Sequence, residues 1–263
     1  MQTLNYQGIK ILPKTQLVTE DALVIEAPLQ ININNIPYTV VMRTPDNDLE
    51  LVRGLLFAED IYKQNAGFHF EVVAQKNSGE TIVNISIAKE ALGKGYLNKR
   101  TLLSVSSCGI CGKQEMKDLA VSGDAMHIKN AMTASNIQKM FGQMKAHQKT
   151  FKKSGGSHAA ALFNANNALL CIQEDIGRHN AVDKVVGELL VKKQLKEATF
   201  LLVSGRVSYE IVSKAFIAKI PIIVAVSACS SLAVDFSKEF GICLIGFTRD
   251  EKMTIYANPN YLK

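Results

Sequence analysis

Two cysteines with two residues between them are the most chemically informative feature of this sequence. They lie in the run Ser106-Ser107-Cys108-Gly109-Ile110-Cys111-Gly112-Lys113, where serine and glycine leave the sulfur atoms accessible. The stretch 113–120 is predicted to be a helix, and a thiol at a helix N-terminus beside a lysine is expected to have a lowered pKa and to be nucleophilic at neutral pH. The pair therefore indicates redox, metal or sulfur chemistry.

Three kinds of site compete for this pair. A structural zinc site needs four ligands, and the sequence contains no second closely spaced pair of cysteines. A thioredoxin-like redox pair is expected at the first strand–helix junction of a small domain, whereas this pair ends a β-rich segment. A sulfur carrier needs one accessible thiolate that accepts sulfur as a persulfide and hands it on. The residues fit the last chemistry best, and the redox alternative stays open.

The remaining composition limits the class of protein. The chain has 263 residues and five cysteines, an odd number that does not suit a disulfide framework. Cys171 and Cys243 lie in apolar, strand-like runs and are predicted to be inert core residues. No signal peptide or membrane-spanning stretch is recognisable, which predicts a cytoplasmic protein. The net charge of +6 favours an anionic partner, but the basic residues are dispersed and nucleic-acid or membrane binding is not expected.

The pattern of hydrophobic residues divides the chain into two parts. Residues 1–130 read as a β-rich N-terminal subdomain with one helix at 49–59, and they end in the thiol loop and its helix. Residues 131–263 alternate between helices and strands, which predicts an α/β core, so that the fold is α+β overall. Its strands are nearly continuous apolar runs, which predicts a mostly parallel sheet with helices on both faces in three layers.

The order of elements in the second part resembles the core of the cytidine deaminases. The zinc deaminases carry H-x-E followed by P-C-x-x-C. Here His158 is followed by Ala159-Ala160, and the C-x-x-C pair precedes the core. Deaminase chemistry is therefore not predicted.

Polar residues follow four predicted strands of this core, where ligands bind in open α/β sheets. Hydroxyl groups, guanidinium groups and helix N-terminal amides at these ends suit a phosphorylated or otherwise anionic ligand. Arg178, His179 and Arg206 are candidate ligand contacts, and His158 is a further candidate for the same edge. Each serine here could instead cap a helix, and His179 could be structural. The four stretches are Glu174 to Lys184, Ser204-Gly205-Arg206, Ser227 to Ser231 and Thr248 to Lys252.

Several segments in this order resemble the formate dehydrogenase accessory sulfurtransferases, the FdhD sulfur carriers. The resemblance covers nearly the whole chain. The segments that carry it are Met42-Arg43-Thr44-Pro45, Ser106 to Gly112, Gly155-Gly156-Ser157-His158-Ala159-Ala160, Glu174-Asp175-Ile176-Gly177-Arg178-His179-Asn180-Ala181-Val182-Asp183-Lys184, Ser204-Gly205-Arg206 and the stretch from Val226 to Pro259.

This resemblance implies a specific activity. Members of the family take sulfur from a cysteine desulfurase and deliver it to the molybdenum or tungsten bis(guanine dinucleotide) cofactor of formate dehydrogenase. The cofactor is cargo, and no permanently bound metal is expected. Cys108 would carry the persulfide, and Cys111 would assist or resolve it. Family members have a deaminase-like core and tend to be homodimers.

The cofactor-binding stretch of the family falls on Phe247, Thr248, Arg249, Asp250, Glu251 and Lys252. Because Asp250 and Glu251 are acidic, only Arg249 and Lys252 offer cations there, and Arg178, His179 and Arg206 are expected to contribute. Two alternatives remain: a chaperone that binds the cofactor without a covalent role for cysteine, and a dithiol redox protein.

Overall fold

The computed structural model describes residues 1–64, 68–96, 123–126, 132–249 and 252–261. Its strands are β1 (Thr3–Leu12), β2 (Thr15–Val24), β3 (Ala27–Ile33), β4 (Ile36–Arg43), β5 (His69–Gln75), β6 (Thr81–Ser86), β7 (His158–Asn164), β8 (Leu169–Asp175), β9 (Ala198–Val203), β10 (Ile222–Ala225), β11 (Cys243–Arg249) and β12 (Lys252–Ala257). Its helices are α1 (Asp48–Ala58), α2 (Ala134–His147), α3 (Lys149–Ser154), α4 (Arg178–Val191), α5 (Tyr209–Ile217) and α6 (Ser231–Glu239). No helix in these ranges is long and apolar enough to cross a membrane.

The chain begins with a hairpin of two long strands. β1 and β2 pair antiparallel from Thr3 opposite Val24 to Leu12 opposite Thr15, and together they form a two-stranded sheet. The base of the hairpin contacts α3 and the following loop, since a Cβ on Gly156 would lie 2.9 Å from Cγ1 of Val24. Many apolar side chains farther along the hairpin stay exposed.

A second sheet has the strand order β4-β3-β6-β5 and packs against α1. Every second side chain of β3 is buried, as a strand with one covered face requires. β3 and β4 are joined at Asn34 and Asn35, whose φ angles are 52° and 64°, and asparagine tolerates this left-handed conformation in tight turns. The sequence correctly predicts a turn at these two residues.

The third sheet has the strand order β12-β11-β10-β9-β7-β8. β9, β10 and β11 are parallel, whereas the other three neighbouring pairs are antiparallel. The prediction of a mostly parallel sheet is therefore wrong. The reason is that β7–β8 and β11–β12 are joined by short connections, which allow only antiparallel pairing.

The predicted three layers are confirmed. Side chains of α4, α5 and α6 pack on one face of the third sheet, and those of α2 pack on the other face. Cys171 and Cys243 lie in these two cores and are buried, as the sequence predicts.

Two glycines allow α1 of the N-terminal part to pack closely against α4 of the core. A Cβ on Gly54 would lie 1.9 Å from the carbonyl oxygen of Asp183, and one on Gly187 would lie 1.8 Å from that of Glu50. Backbones therefore touch where the two helices cross. The predicted boundary between residues 130 and 131 falls outside the described ranges and stays a prediction.

Candidate functional site

The polar segments singled out in the sequence meet at one edge of the third sheet. β9, β10 and β11 run parallel, and β8 runs in the same direction because both β8 and β9 are antiparallel to β7. The carboxyl ends of β8, β9, β10 and β11 and the start of β7 therefore share this edge, which we call the rim. It is the position that open α/β sheets use for ligands.

Part of the polar stretch that follows β8 turns away from the rim into the protein. Asp175 and Lys184 are fully buried and form an ion pair, with 2.8 Å between Oδ2 and Nζ. Nζ of Lys184 also donates to the carbonyl oxygen of Thr44, and Nδ2 of Asn180 donates to Oδ1 of Asp175 and to the carbonyl oxygen of Met42. These three side chains hold the end of β4 against the core.

Arg43, in the same β4 segment, is also structural. Its guanidinium is completely buried and donates to both carboxylate oxygens of Asp48, at 2.8 and 2.7 Å. It donates further to Oγ1 of Thr81 and to the carbonyl oxygens of Ala27 and Gly79. The guanidinium therefore ties α1 to the second sheet.

Glu174 holds the segment that leads to His158. Its carboxylate accepts the backbone N–H groups of Thr150 and Phe151 at the start of α3, each at 2.8 Å. It also accepts the hydroxyl of Ser157 at 2.8 Å. This fixes the chain directly before β7 and so places His158, the first residue of β7, at the rim.

His179 does not face the rim. Its ring is buried, and Nε2 lies 3.1 Å from Oγ of Ser208 and 3.1 Å from Oε2 of Glu210. The side chain therefore links the start of α4 to the start of α5. In this position it supports the loop that carries Arg206.

His158, Arg178 and Arg206 come together at the rim. A Cβ on Gly205 would lie 3.2 Å from Nδ1 of His158 and 3.5 Å from Cβ of Arg178, so this glycine permits the close packing. Ser204 accepts the backbone N–H of Ala159 and is not a helix cap. Burial and the nearby guanidinium groups of Arg178 and Arg206 lower the pKa of His158, and Asp175 opposes the shift.

Phe247, Thr248 and Arg249 end β11 and Lys252 begins β12, so the expectation that these residues follow the last strand is wrong. The register shifts between Gly246 and Arg249, and Phe247 has a φ of 51°, which is strained for a bulky residue. The Phe247 ring is half exposed, whereas Thr248 is buried and its hydroxyl has no hydrogen-bond partner in the described structure. Arg249 and Lys252 are exposed, and Asp250 and Glu251 lie outside the described residues.

The predicted thiol pair, Cys108 and Cys111, also lies outside the described residues. A third thiol, that of Cys229, lies at the rim beneath the β11–β12 hairpin, since a Cβ on Gly246 would be 3.0 Å from its Sγ. Burial raises the pKa of Cys229 to about 11 and that of Cys243 to about 12, and it also raises the pKa of Cys171. These three are therefore poor nucleophiles at neutral pH.

Several polar and aromatic groups lie along the rim. They are two arginines, the start of α4 without a side-chain cap, an exposed aromatic ring and a hydroxyl that has no hydrogen-bond partner among the described residues. The sequence already pointed to Arg178 and Arg206, because each arginine follows a predicted strand end, and the family resemblance pointed to Phe247. Neither showed that Gly205 permits the close packing or that the backbone of Phe247 is strained.

Comparison with known proteins identifies relatives along nearly the full chain. A family model described as the FdhD/NarQ family matches residues 24–263. The sequence is 38% identical over 271 residues to the protein named sulfur carrier protein FdhD of Mycobacterium tuberculosis, covering 97% of each chain. The protein of the same name from Sulfolobus acidocaldarius is 38% identical over 260 residues, covering 98% of each chain.

A solved structure shares the fold. The crystal structure of a proposed formate dehydrogenase accessory protein from Desulfotalea psychrophila superimposes with a TM-score of 0.77 and covers 100% of both chains. The two sequences are 20% identical, so this likeness supports the architecture alone.

Proposed function

Since this chain belongs to the FdhD/NarQ family, we propose that it is a cytoplasmic sulfur carrier, a sulfurtransferase that serves formate dehydrogenase. One observation carries the proposal. The family match at residues 24–263 includes both the Cys108-Gly109-Ile110-Cys111 segment and the whole rim. A nucleophilic thiol and an anion-binding edge in one chain are what sulfur delivery to a phosphate-bearing cofactor requires.

In the proposed reaction, the thiolate of Cys108 attacks the outer sulfur of a persulfide on a cysteine desulfurase. The new S–S bond forms on Cys108, and the desulfurase cysteine leaves as a thiolate. Cys111 then attacks Sγ of Cys108, which forms a Cys108–Cys111 disulfide and releases the outer sulfur as hydrosulfide to the metal of the acceptor. A cellular dithiol reductant restores the two thiols.

The proposed acceptor is the molybdenum or tungsten bis(guanine dinucleotide) cofactor, bound as cargo. Its proposed contacts are the stretch from Phe247 to Lys252, which includes the end of β11 and the start of β12, together with Arg178 and Arg206. The exposed ring of Phe247 offers a surface on which a purine could stack, and Arg249 and Lys252 offer exposed cations. His179 would act as a positioning residue through Ser208 and Glu210.

We propose that the β1–β2 hairpin binds a second copy of this chain. One face of the hairpin carries Leu4, Tyr6, Leu12, Leu17 and Leu23, which are 37–53% exposed, around Gly8. A Cβ on Gly8 would meet one atom, Cγ2 of Thr19 at 3.8 Å, so another backbone can approach there. On the other face, Ile9, Ile11 and Val18 are also exposed, at 67–70%.

The test of the proposed function is activation of formate dehydrogenase in cells that lack the native carrier. Cys108→Ala should abolish activation, because the persulfide is proposed to form on Cys108, and burial raises the pKa of the three described thiols, those of Cys171, Cys229 and Cys243. Cys229→Ser, which removes a thiol at the rim, is the matched control and should retain activation. Full activation by Cys108→Ala would contradict sulfur transfer and favour a chaperone that binds the cofactor without a covalent step.

A further inference from the structure

Two guanidinium groups at the rim have no carboxylate partner among the residues that the structure describes. Arg178 is the first residue of α4, and its Nε is buried without a hydrogen-bond partner in the described structure. Arg206 is exposed in the loop between β9 and α5. Among the described residues neither arginine forms an ion pair, although other buried charges in this core do so. The described side chains therefore leave the positive charge of these two guanidinium groups unpaired.

The backbone around these side chains is shaped to bring them together. Gly205 lies against both His158 and Arg178, and a methyl group in its place would approach Nδ1 of His158 to 3.2 Å. Ser204 is held to β7 by the 2.9 Å hydrogen bond from the backbone N–H of Ala159. The start of α4 carries no side-chain cap, so its first N–H groups add to the positive potential. The cluster is built on strand and helix ends and is well positioned for a small anion.

We propose that His158, Arg178 and Arg206 form a subsite for a compact dianion of the phosphate type, and that His158 takes up a proton from solvent when the dianion binds. The inference depends on the proposed function only for the source of the dianion, which could be the diphosphate of a guanine nucleotide or free phosphate. The subsite adds His158 to the contacts and makes binding dependent on pH.

The charges that face His158 explain why binding of a dianion is coupled to protonation of this histidine. In the empty site, burial and the two guanidinium groups lower the pKa of His158, while Asp175 on the neighbouring strand opposes them. The carboxylate of Asp175 is itself paired with Lys184. A bound dianion favours the imidazolium and so raises the pKa of His158. Affinity should therefore rise as the pH falls from the pKa of the bound state to that of the free state, and stay constant outside this interval.

The direct test is an NMR titration of the His158 ring in the full chain, with and without sulfate. Sulfate stays doubly charged across the pH range, so its own ionisation does not interfere. His158→Asn identifies the His158 signals among the five histidines. The pKa of His158 should be below its usual value in chloride and should rise by about one unit in sulfate at equal ionic strength. Identical curves in sulfate and chloride would overturn the proposal.

Variants separate binding at this subsite from general screening. Arg178→Gln combined with Arg206→Gln should raise the pKa of His158 in chloride and remove the response to sulfate. Lys192→Gln, at the other end of α4, removes a cation of the same helix and should leave both curves unchanged. A folded double variant whose His158 pKa still responds to sulfate would contradict the subsite. If the double variant does not fold, the calorimetric comparison of the wild-type protein with His158→Asn tests the proposal instead.

Calorimetry distinguishes the two sources of the dianion. The number of protons taken up on binding GDP or inorganic phosphate is measured in buffers with different ionisation enthalpies, and the value for His158→Asn is subtracted. Uptake with GDP at an affinity about 100-fold above that of phosphate assigns the subsite to the nucleotide, and equal affinities assign it to free phosphate. GDP binding with no difference in uptake between the two proteins would overturn the inference and leave the proposed sulfur transfer intact.

Discussion

Nζ of Lys184 lies 2.8 Å from Oδ2 of Asp175, and both side chains are fully buried. The same nitrogen donates to the carbonyl oxygen of Thr44 at 2.9 Å, and the backbone N–H of Thr44 donates to Asp175 at 3.2 Å. One ion pair inside the core therefore also holds the segment that connects β4 to α1. The rim and the N-terminal sheet are joined by these contacts.

Lys184→Met should destabilise the protein by about 3–5 kcal/mol, because it leaves the carboxylate of Asp175 buried without a cation. The measurement is the free energy of unfolding from urea titration. Lys192→Met is the matched control, since Lys192 pairs with Glu188 on the same helix and its side chain is 48% exposed. The control should change stability by less than about 1 kcal/mol. Equal stabilities of the two variants would contradict the structural role of the buried pair.

The close contact between α1 and α4 can be tested by substituting the glycine that permits it. Gly54→Ala should destabilise the protein by at least about 3 kcal/mol, because the new methyl group would lie 1.9 Å from a backbone oxygen and the helices would have to separate. Gly142→Ala places the same change in α2, where nothing lies within 4 Å, and should stabilise the protein by about 0.5–1 kcal/mol. Thermal and urea unfolding of both variants measure the difference. A neutral effect of Gly54→Ala would show that the helices do not touch there.

The exposed hairpin predicts how the chain associates. Leu17→Glu should convert a dimer into a monomer, because it places a charge in the apolar face around Gly8. Val73→Glu on β5 is the control, since Val73 is 56% exposed but lies on another sheet. Sedimentation velocity at micromolar concentration reads out the mass. A wild-type chain that stays monomeric, or a dimer that tolerates Leu17→Glu, would exclude the hairpin as the interface.

Much of the fold could be predicted because its elements have clear periodicity or turn residues. Asn34-Asn35 marks a tight turn, and the apolar runs of β9 and β10 mark buried strands. The sequence does not reveal the β1–β2 hairpin, since both of its faces are uncovered and no alternation between buried and exposed positions develops. It also misses β12, because the charged residues at 249–252 resemble a loop.

The site could be predicted only in part, because residue types do not fix the direction of side chains. From the sequence, all the polar residues between Glu174 and Lys184 are predicted to lie at the rim. The structure leaves Arg178 there and turns Asp175, His179, Asn180 and Lys184 inward. α4 is covered by the sheet on one side and by α1 on the other, so polar residues on it need not face solvent. α1 covers α4 through contacts between residues that are far apart in the sequence, and no local sequence pattern predicts such contacts.

Mass spectrometry of Cys108 is the most direct test of whether this chain carries sulfur. The chain is incubated with a cysteine desulfurase and cysteine without reductant, digested, and searched for one added sulfur. We expect the added sulfur on the peptide that holds Cys108 and its loss when a thiol acceptor is added. We expect none on Cys229, because burial raises the pKa of that thiol to about 11. Thiols that stay unmodified, or a Cys108–Cys111 disulfide that forms without any release of sulfide, would contradict sulfur transfer by this chain.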